Sequence, residues 1–166
     1  MPSASRSTFP RLALCVTALA ATLTVGPSVT ASAATADVPP VSYVLPAATD
    51  AAIGSPAAAH TVAVPEKPNG RLVVFLPGTA GEPSGYTKFV RQAAASGFDA
   101  IGLSYPNSSA VKTLCEDDLD CYGTVRQNVF DGTSASDQSS VEPVDAVQHR
   151  LAALLAYLDE QQPGHG

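Results

Sequence analysis

The chain has 166 residues, enough for one domain, and its fifteen acidic residues outnumber its nine basic ones, which gives a net charge of −6. An acidic protein repels phosphate backbones, so we expect no nucleic-acid partner. The sequence contains no P-loop, no dinucleotide-binding glycine fingerprint and no zinc-ligand spacing. It therefore predicts no cofactor and no metal site.

Residues 1–34 have the features of a secretory signal peptide. Arg6 and Arg11 form a basic start, residues 12–25 are apolar and uncharged, and the small residues 30–34 offer a cleavage site. The apolar run is shorter than the roughly 20 residues that span a bilayer, so we expect cleavage rather than anchoring. The mature protein is then expected to be secreted, extracellular and free of the membrane.

Residues 35–59 are rich in Ala and Pro and predict a mobile leader, followed by an α/β domain over 60–166. Within the leader, Ser42–Leu45 could form an edge strand closed by a proline. Thr61–Val64 predicts another strand, and an Asn-Gly turn follows it. That turn predicts antiparallel pairing with the next apolar run, Leu72–Leu76.

That run is the most strongly patterned stretch of the chain. Its unbroken apolar residues stop at Pro77-Gly78, which is typical of a strand buried on both faces. Apolar residues then recur with helical spacing from Tyr86 to Ala94, and Gly97 is placed to end the helix. Residues 98–105 predict a second buried strand, so the three elements form a βαβ unit with parallel strands.

Residues 108–140 show no strong period, although Val125–Phe130 could form a short strand or turn. Cys115 and Cys121 are most simply a disulfide outside the reducing cytosol, because their spacing differs from the Cys-x-x-Cys of redox pairs. Closing so short a loop contributes about 2–2.5 kcal/mol. The acidic cluster at 116–120 lacks the calcium-loop pattern, which favours a solvated loop over a Ca²⁺ site.

The last predicted helix starts near Ser139 or Ser140, with Pro143 in its first turn. Its apolar stripe needs a sheet to cover, and consists of Val144, Val147, Leu151, Leu154, Leu155 and Leu158. A βαβαβ pattern would next place another buried strand, and none follows in this sequence. We therefore expect an incomplete α/β fold of about four strands in a mixed sheet, with two main helices.

Three stretches together resemble the amino-terminal part of a secreted actinobacterial α/β-hydrolase, a member of the serine hydrolase superfamily. They are Val73–Gly81, the helix that starts near Tyr86, and Phe98–Asn107, and the resemblance extends over residues 41–166. It implies that the turn after the first run supplies one N–H of an oxyanion hole, the donors that stabilise the negative oxygen in acyl transfer. By position, Thr79 would present that backbone N–H, and Gly78 would shape the turn. The alternative is a plain turn from strand to helix.

The resemblance also implies a Gly-x-Ser-x-Gly elbow, an acid and a histidine after the last helix, and the sequence contains none of them there. Ser104 ends a strand, and His60, His149 and His165 have structural or surface positions. We therefore expect no activity from the chain as written. A small-molecule or polymeric ester or amide substrate would require the missing half of the fold. The alternative is a non-enzymatic secreted module that binds a partner.

Overall fold

The computed structural model describes residues 39–163, so the predicted signal peptide and His165 lie outside the described residues. Four strands form one mixed sheet: β1 (Ser42–Val44), β2 (His60–Ala63), β3 (Leu72–Phe75) and β4 (Asp99–Gly102). Their order is β1-β2-β4-β3, with β3 and β4 parallel and the other two pairs antiparallel. The predictions of a mixed four-stranded sheet and of a parallel βαβ unit are confirmed.

The predicted hairpin between β2 and β3 is wrong, because β4 lies between these strands. The Asn-Gly segment makes other bonds: the Asn69 N–H donates to the Gly97 carbonyl at 2.8 Å, and the Asn69 side chain accepts from the Arg71 N–H. The segment is therefore fastened to the turn before β4. Gly102 lets β4 approach β2 closely, since an added Cβ would collide with the Thr61 hydroxyl.

The sequence pattern predicts that β3 is buried on both faces, and this prediction is wrong. The strand that is buried on both faces is β4. Ile101 in β4 is 2% exposed and Leu103 just after β4 is fully buried, whereas Leu72, which begins β3, and Leu76, which follows it, are each 42% exposed. The reason is position, because β3 lies at an edge of the sheet. The predicted edge strand β1 lies at the opposite edge, as expected.

Two helices cover opposite faces of the sheet. Helix α2 (Thr87–Ala95) packs Val90 and Ala94 against β2 and β4, and Gly97 ends its turn with a φ of 91°. Helix α5 (Val147–Gln161) buries Val147 and Leu154 against the other face. The α5 stripe is thus covered in part, and Leu155 remains 40% exposed.

The described residues contain five helices, not two main ones. Besides α2 and α5 they are α1 (Pro46–Thr49), α3 (Val111–Cys115) and α4 (Leu119–Asp131). The predicted strand or turn at 125–130 is wrong, since these residues belong to α4. Asp118 caps this helix by accepting the N–H groups of Asp120 and Cys121, and Gly132 ends it with a φ of 70°.

Pro143 does not enter the last helix. It begins a separate 3-10 turn, Pro143–Asp145, and the extended backbone of Ala146 separates this turn from α5. At the other end of the described residues, the predicted leader contributes β1 and α1. Val44 and Ile53 from this segment are buried.

Candidate functional site

A four-residue turn, Gly78 to Gly81, follows the carboxyl end of β3. The Gly81 N–H donates to the Gly78 carbonyl at 2.8 Å and closes the turn. Its third residue, Ala80, has a φ of 55°, whereas Thr79 does not have a positive φ. This is the pattern of a type II turn, which normally has glycine at the third position. An alanine there stores about 1–2 kcal/mol of backbone strain.

The loop after β4 holds this turn in place. The Asn107 side-chain amide donates to the carbonyls of Gly78 at 2.7 Å and Gly81 at 2.9 Å. The Asn107 carbonyl accepts the Ala80 N–H at 2.8 Å, and the Tyr105 hydroxyl donates to the Pro77 carbonyl at 2.7 Å. Burial raises the pKa of the Tyr105 hydroxyl, so it remains a donor at neutral pH. Bonds from two residues of the neighbouring strand end therefore fix the strained turn.

The Thr79 N–H has no hydrogen-bond partner among the residues that the structure describes. It takes part in none of the backbone hydrogen bonds outside helices and strands that residues 39–163 form, whereas the next two N–H groups are both used inside the site. Thr79 and Gly78 are both exposed. A Cβ placed on Gly78 would meet nothing within 4 Å, so the backbone here is open to close approach. By contrast, Gly81 is crowded by the Gly78 carbonyl and the Tyr86 hydroxyl.

Beside Thr79 lies a cavity of about 420 Å³, within the size range of small-molecule sites. Leu76, Tyr105 and Asn107, at the carboxyl ends of β3 and β4, form one side. The other side is mostly apolar and comes mainly from α3 and α4, with Arg126, Gln138 and Ser139 as its polar members. Its apolar residues are Val111, Leu114, Val125, Val129, Phe130, Val141 and Val147. The carboxyl edge of parallel strands is where open α/β sheets bind ligands. The cavity therefore combines the expected location with a suitable volume.

The side of the cavity that α3 and α4 form is called the α3–α4 wall. A disulfide bond and the buried side-chain amide of Asn128 stabilise it. The predicted disulfide between Cys115 and Cys121 is present, and it joins the end of α3 to the first turn of α4. The buried Asn128 accepts from the Ser139 hydroxyl at 2.7 Å and the Val141 N–H at 2.9 Å. Its amide also donates to the Ser134 carbonyl. The segment without a readable sequence period is therefore an ordered wall of the cavity.

Asp131 fixes the start of the loop that returns from α4. Gln127 donates to one of its oxygens at 2.9 Å, and the Ser134 hydroxyl does so at 2.7 Å. Bonds from Gln127, from Ser134 and from the Thr133 N–H hold the pKa of this carboxyl well below its ordinary value. The Ser- and Asp-rich composition of this loop thus has a structural role.

The structure places the predicted Thr79 in the lining of the cavity, whereas Gly78, the residue before it, does not line the cavity. Cys115 and Cys121 do not line this cavity. Ser104 is buried, and its N–H donates to Nδ1 of the equally buried His60 at 3.0 Å. His149 pairs with Asp50 at 2.8 Å, and neither described histidine lines the cavity.

Asn107 and Tyr105 are functional candidates that the sequence reasoning did not select. The available signal was their position, since polar residues directly after a buried strand lie at the sheet edge where sites form. Nothing local indicated that Asn107 would reach the turn after β3. That contact depends on β3 and β4 being neighbours.

Within the acidic cluster at 116–120, Asp118 has a structural role because it caps α4. Over residues 39–163, no group of three or more His, Cys, Asp or Glu side chains could hold a metal ion. None of the helices in this range has the length and apolar character needed to cross a bilayer. Comparisons with protein-family models, curated proteins and solved structures find no match to this chain.

Proposed function

We propose that the turn at Thr79 and its cavity bind the carbonyl group of an ester or amide, in the manner of the oxyanion turn of α/β-hydrolases. The observation that carries this proposal is that Thr79 is exposed and lines the cavity, while its N–H makes no hydrogen bond with residues 39–163. In α/β-hydrolases one oxyanion donor comes from the loop between the third strand and the following helix. Thr79 occupies the loop between β3 and α2.

The rigid hold on the turn also supports this proposal. A donor stabilises a developing oxyanion best when it is fixed before the reaction, because no reorganisation is then needed. The bonds from Asn107 and Tyr105 provide such fixation, and they satisfy the neighbouring carbonyls without using the Thr79 N–H. The strained backbone at Ala80 also supports a functional role for the turn, since strained backbone concentrates at functional sites.

Binding and polarisation of the carbonyl are the part of the reaction that we assign to the described residues. The hydroxyls at the cavity belong to Thr79, Tyr105, Ser108, Ser109 and Ser139, and none of them contacts a histidine among residues 39–163. We therefore expect these residues to bind an acyl compound without hydrolysing it. A secreted binding module, the second candidate, is favoured by this same lack of a base. The disulfide supports export in either case, together with the predicted signal peptide.

The test is a titration of the ¹⁵N-labelled protein with hexanoate, whose carboxylate stands in for the oxyanion. We expect the Thr79 amide proton to move downfield, as a proton does when it enters a hydrogen bond to a charged oxygen. Thr79→Pro removes the N–H, and the turn tolerates it because proline suits the second residue of a type II turn. Thr79→Ala is the matched control, since it keeps the N–H and removes only the hydroxyl.

We expect Thr79→Pro to weaken hexanoate binding about tenfold or more, given that a bond to a charged group contributes about 1.5–3 kcal/mol. Thr79→Ala should bind nearly as the parent does. Equal binding by the parent and Thr79→Pro would overturn the assigned donor. Ester hydrolysis by the protein, abolished by a serine-directed inhibitor, would instead overturn the expectation that it binds an acyl compound without hydrolysing it.

A further inference from the structure

We infer that the cavity takes an unbranched apolar chain whose anionic or carbonyl head lies at the Thr79 turn, and that the α3–α4 wall limits the chain length. The inference rests on the proposed function, because it uses the same cavity and the same head position. It adds a class of ligand and the element that selects it.

The lining has a polar side and an apolar side. The side chains contributed by the strand ends and their loops include Thr79, Asn107, Ser108 and Ser109. The lining residues from α3 and α4 are apolar apart from Arg126, and Val125 of α4 is only 1% exposed overall, while Val147 of α5 is 5% exposed. A ligand that satisfies both sides has a polar head and an aliphatic tail.

The charge of the lining favours an anionic head over a cationic one. Although the chain carries a net charge of −6, no acidic residue among 39–163 lines this cavity. Within the same range Arg126 is the one charged side chain of the lining, and it lies over the Tyr122 ring with its guanidinium carbon 5.6 Å from the centroid. A carboxylate therefore meets no like charge among the described lining residues, whereas an ammonium group would meet Arg126 and no opposite charge.

The wall has little freedom to adapt to a longer tail. The disulfide ties α3 to α4, and Asn128 ties α4 to the segment that carries Ser139 and Val141. These attachments hold α3, α4 and residues 139–141 to one another, so the apolar lining that they share has a fixed extent. Chain length, rather than chain bulk at the head, is then what the helical wall discriminates.

The test uses straight-chain carboxylates from butanoate to dodecanoate, with binding measured by calorimetry. Burying each added methylene contributes about 0.8 kcal/mol to the binding free energy, so we expect affinity to rise about fourfold per methylene. The rise should stop once the cavity is filled. Alkylamines of the same lengths should bind at least tenfold more weakly than the carboxylates. Equal affinity for the amines, or no dependence on length, would overturn the inference.

Val111→Phe places a larger group in the cavity and should move the plateau to a shorter chain. Leu119→Phe is the matched control, because Leu119 is 81% exposed and does not line the cavity. An unchanged plateau in folded Val111→Phe would contradict the helical wall as the selector. The alkylamine comparison in the parent protein decides the head group even if this variant does not fold.

The same series measured on Thr79→Pro separates this inference from the proposed function. Weaker binding with an unchanged rise per methylene supports both. If Thr79→Pro leaves the affinity unchanged and the affinity still rises with each methylene, only the claim that the Thr79 N–H is the donor is wrong. A flat series in which Thr79 still shifts on titration would sink the apolar-chain inference alone.

Discussion

At the scale of single residues, Asn107 determines the shape of the candidate site. One side chain satisfies two carbonyls of the turn, and its backbone carbonyl takes the N–H of the strained Ala80. Strain at a non-glycine residue persists only where surrounding contacts over-determine it. Loss of this side chain should therefore affect both stability and ligand binding.

We expect Asn107→Ala to lower the free energy of unfolding by about 1–3 kcal/mol, because it removes two side-chain hydrogen bonds to the Gly78 and Gly81 carbonyls, each worth about 0.5–1.5 kcal/mol. Ligand affinity should fall too, since the Thr79 N–H is then no longer held in place. Urea unfolding and hexanoate titration measure the two effects. Ser108→Ala, at an exposed neighbour of Asn107, is the control and should change stability little. A variant as stable as the parent would show that Asn107 does not hold the turn.

His60 is a second residue whose environment has a measurable consequence. Its Nδ1 accepts the Ser104 N–H, and its Nε2 has no hydrogen-bond partner in the described part of the chain. Burial, together with the positive charge of Arg150, lowers the pKa of His60 to about 4. Arg150 is itself buried, and its charge is paired with Asp145 at 2.8 Å.

As pH falls below about 6.5, the unfolded imidazole binds a proton while the folded one does not. The free energy of unfolding should therefore decrease between pH 6.5 and 4, by about 3 kcal/mol in all. His60→Asn keeps an acceptor for the Ser104 N–H but cannot titrate. Unfolding at pH 7, 5.5 and 4.5 should show a smaller loss in His60→Asn than in the parent. Identical losses in both proteins would contradict a neutral His60 in the folded state.

At the scale of elements, the α3–α4 wall depends on its disulfide. The chain-entropy model gives about 2 kcal/mol for a loop this short. We expect a protein with Cys115→Ala and Cys121→Ala to lose about that much stability and to bind long-chain carboxylates with a less definite length limit. Denaturant unfolding measures the first effect and the carboxylate series the second. Unchanged stability would show that the helical pair is held by packing alone.

Some elements could be predicted from the sequence because their signals are local. Tyr86 to Ala94 repeat with helical spacing and end near Gly97, so α2 was readable. The alternation of strand, helix and strand was enough to predict that β3 and β4 run parallel. Helix α4 was missed because its start depends on the Asp118 cap, and its Val125–Phe130 portion has the residue types of a strand.

Long-range pairing was the part that the sequence could not supply. The Asn69-Gly70 pair is a hairpin signal, yet Asn69 bonds to Gly97, a residue distant in the chain. The position of Thr79 at a cavity could not be read either, since α3 and α4 had not been recognised as helices. Sequence reasoning thus selected Thr79 as a candidate donor, while the cavity beside it is formed only by the assembled sheet and helices.

At the scale of the whole molecule, the described sheet has an uncovered edge at β3. Leu72 and Leu76 are exposed there, and Leu155 of α5 is exposed as well. An apolar edge strand is a template for pairing with another chain. We expect the protein to self-associate as its concentration rises, and Leu72→Lys to reduce this association in light scattering. Leu119→Lys, at an exposed leucine of α4, should not reduce it. A monomeric parent protein at all concentrations would contradict this expectation.

The proposed site depends most on the Thr79 N–H as the donor to a ligand oxygen. The most direct measurement is a crystal structure of the protein with bound hexanoate. We expect a carboxylate oxygen 2.7–3.1 Å from the Thr79 nitrogen, the distance that oxyanion donors use, with the aliphatic chain between α3 and α4. A carboxylate bound away from Thr79, or a ligand outside the cavity, would contradict the account.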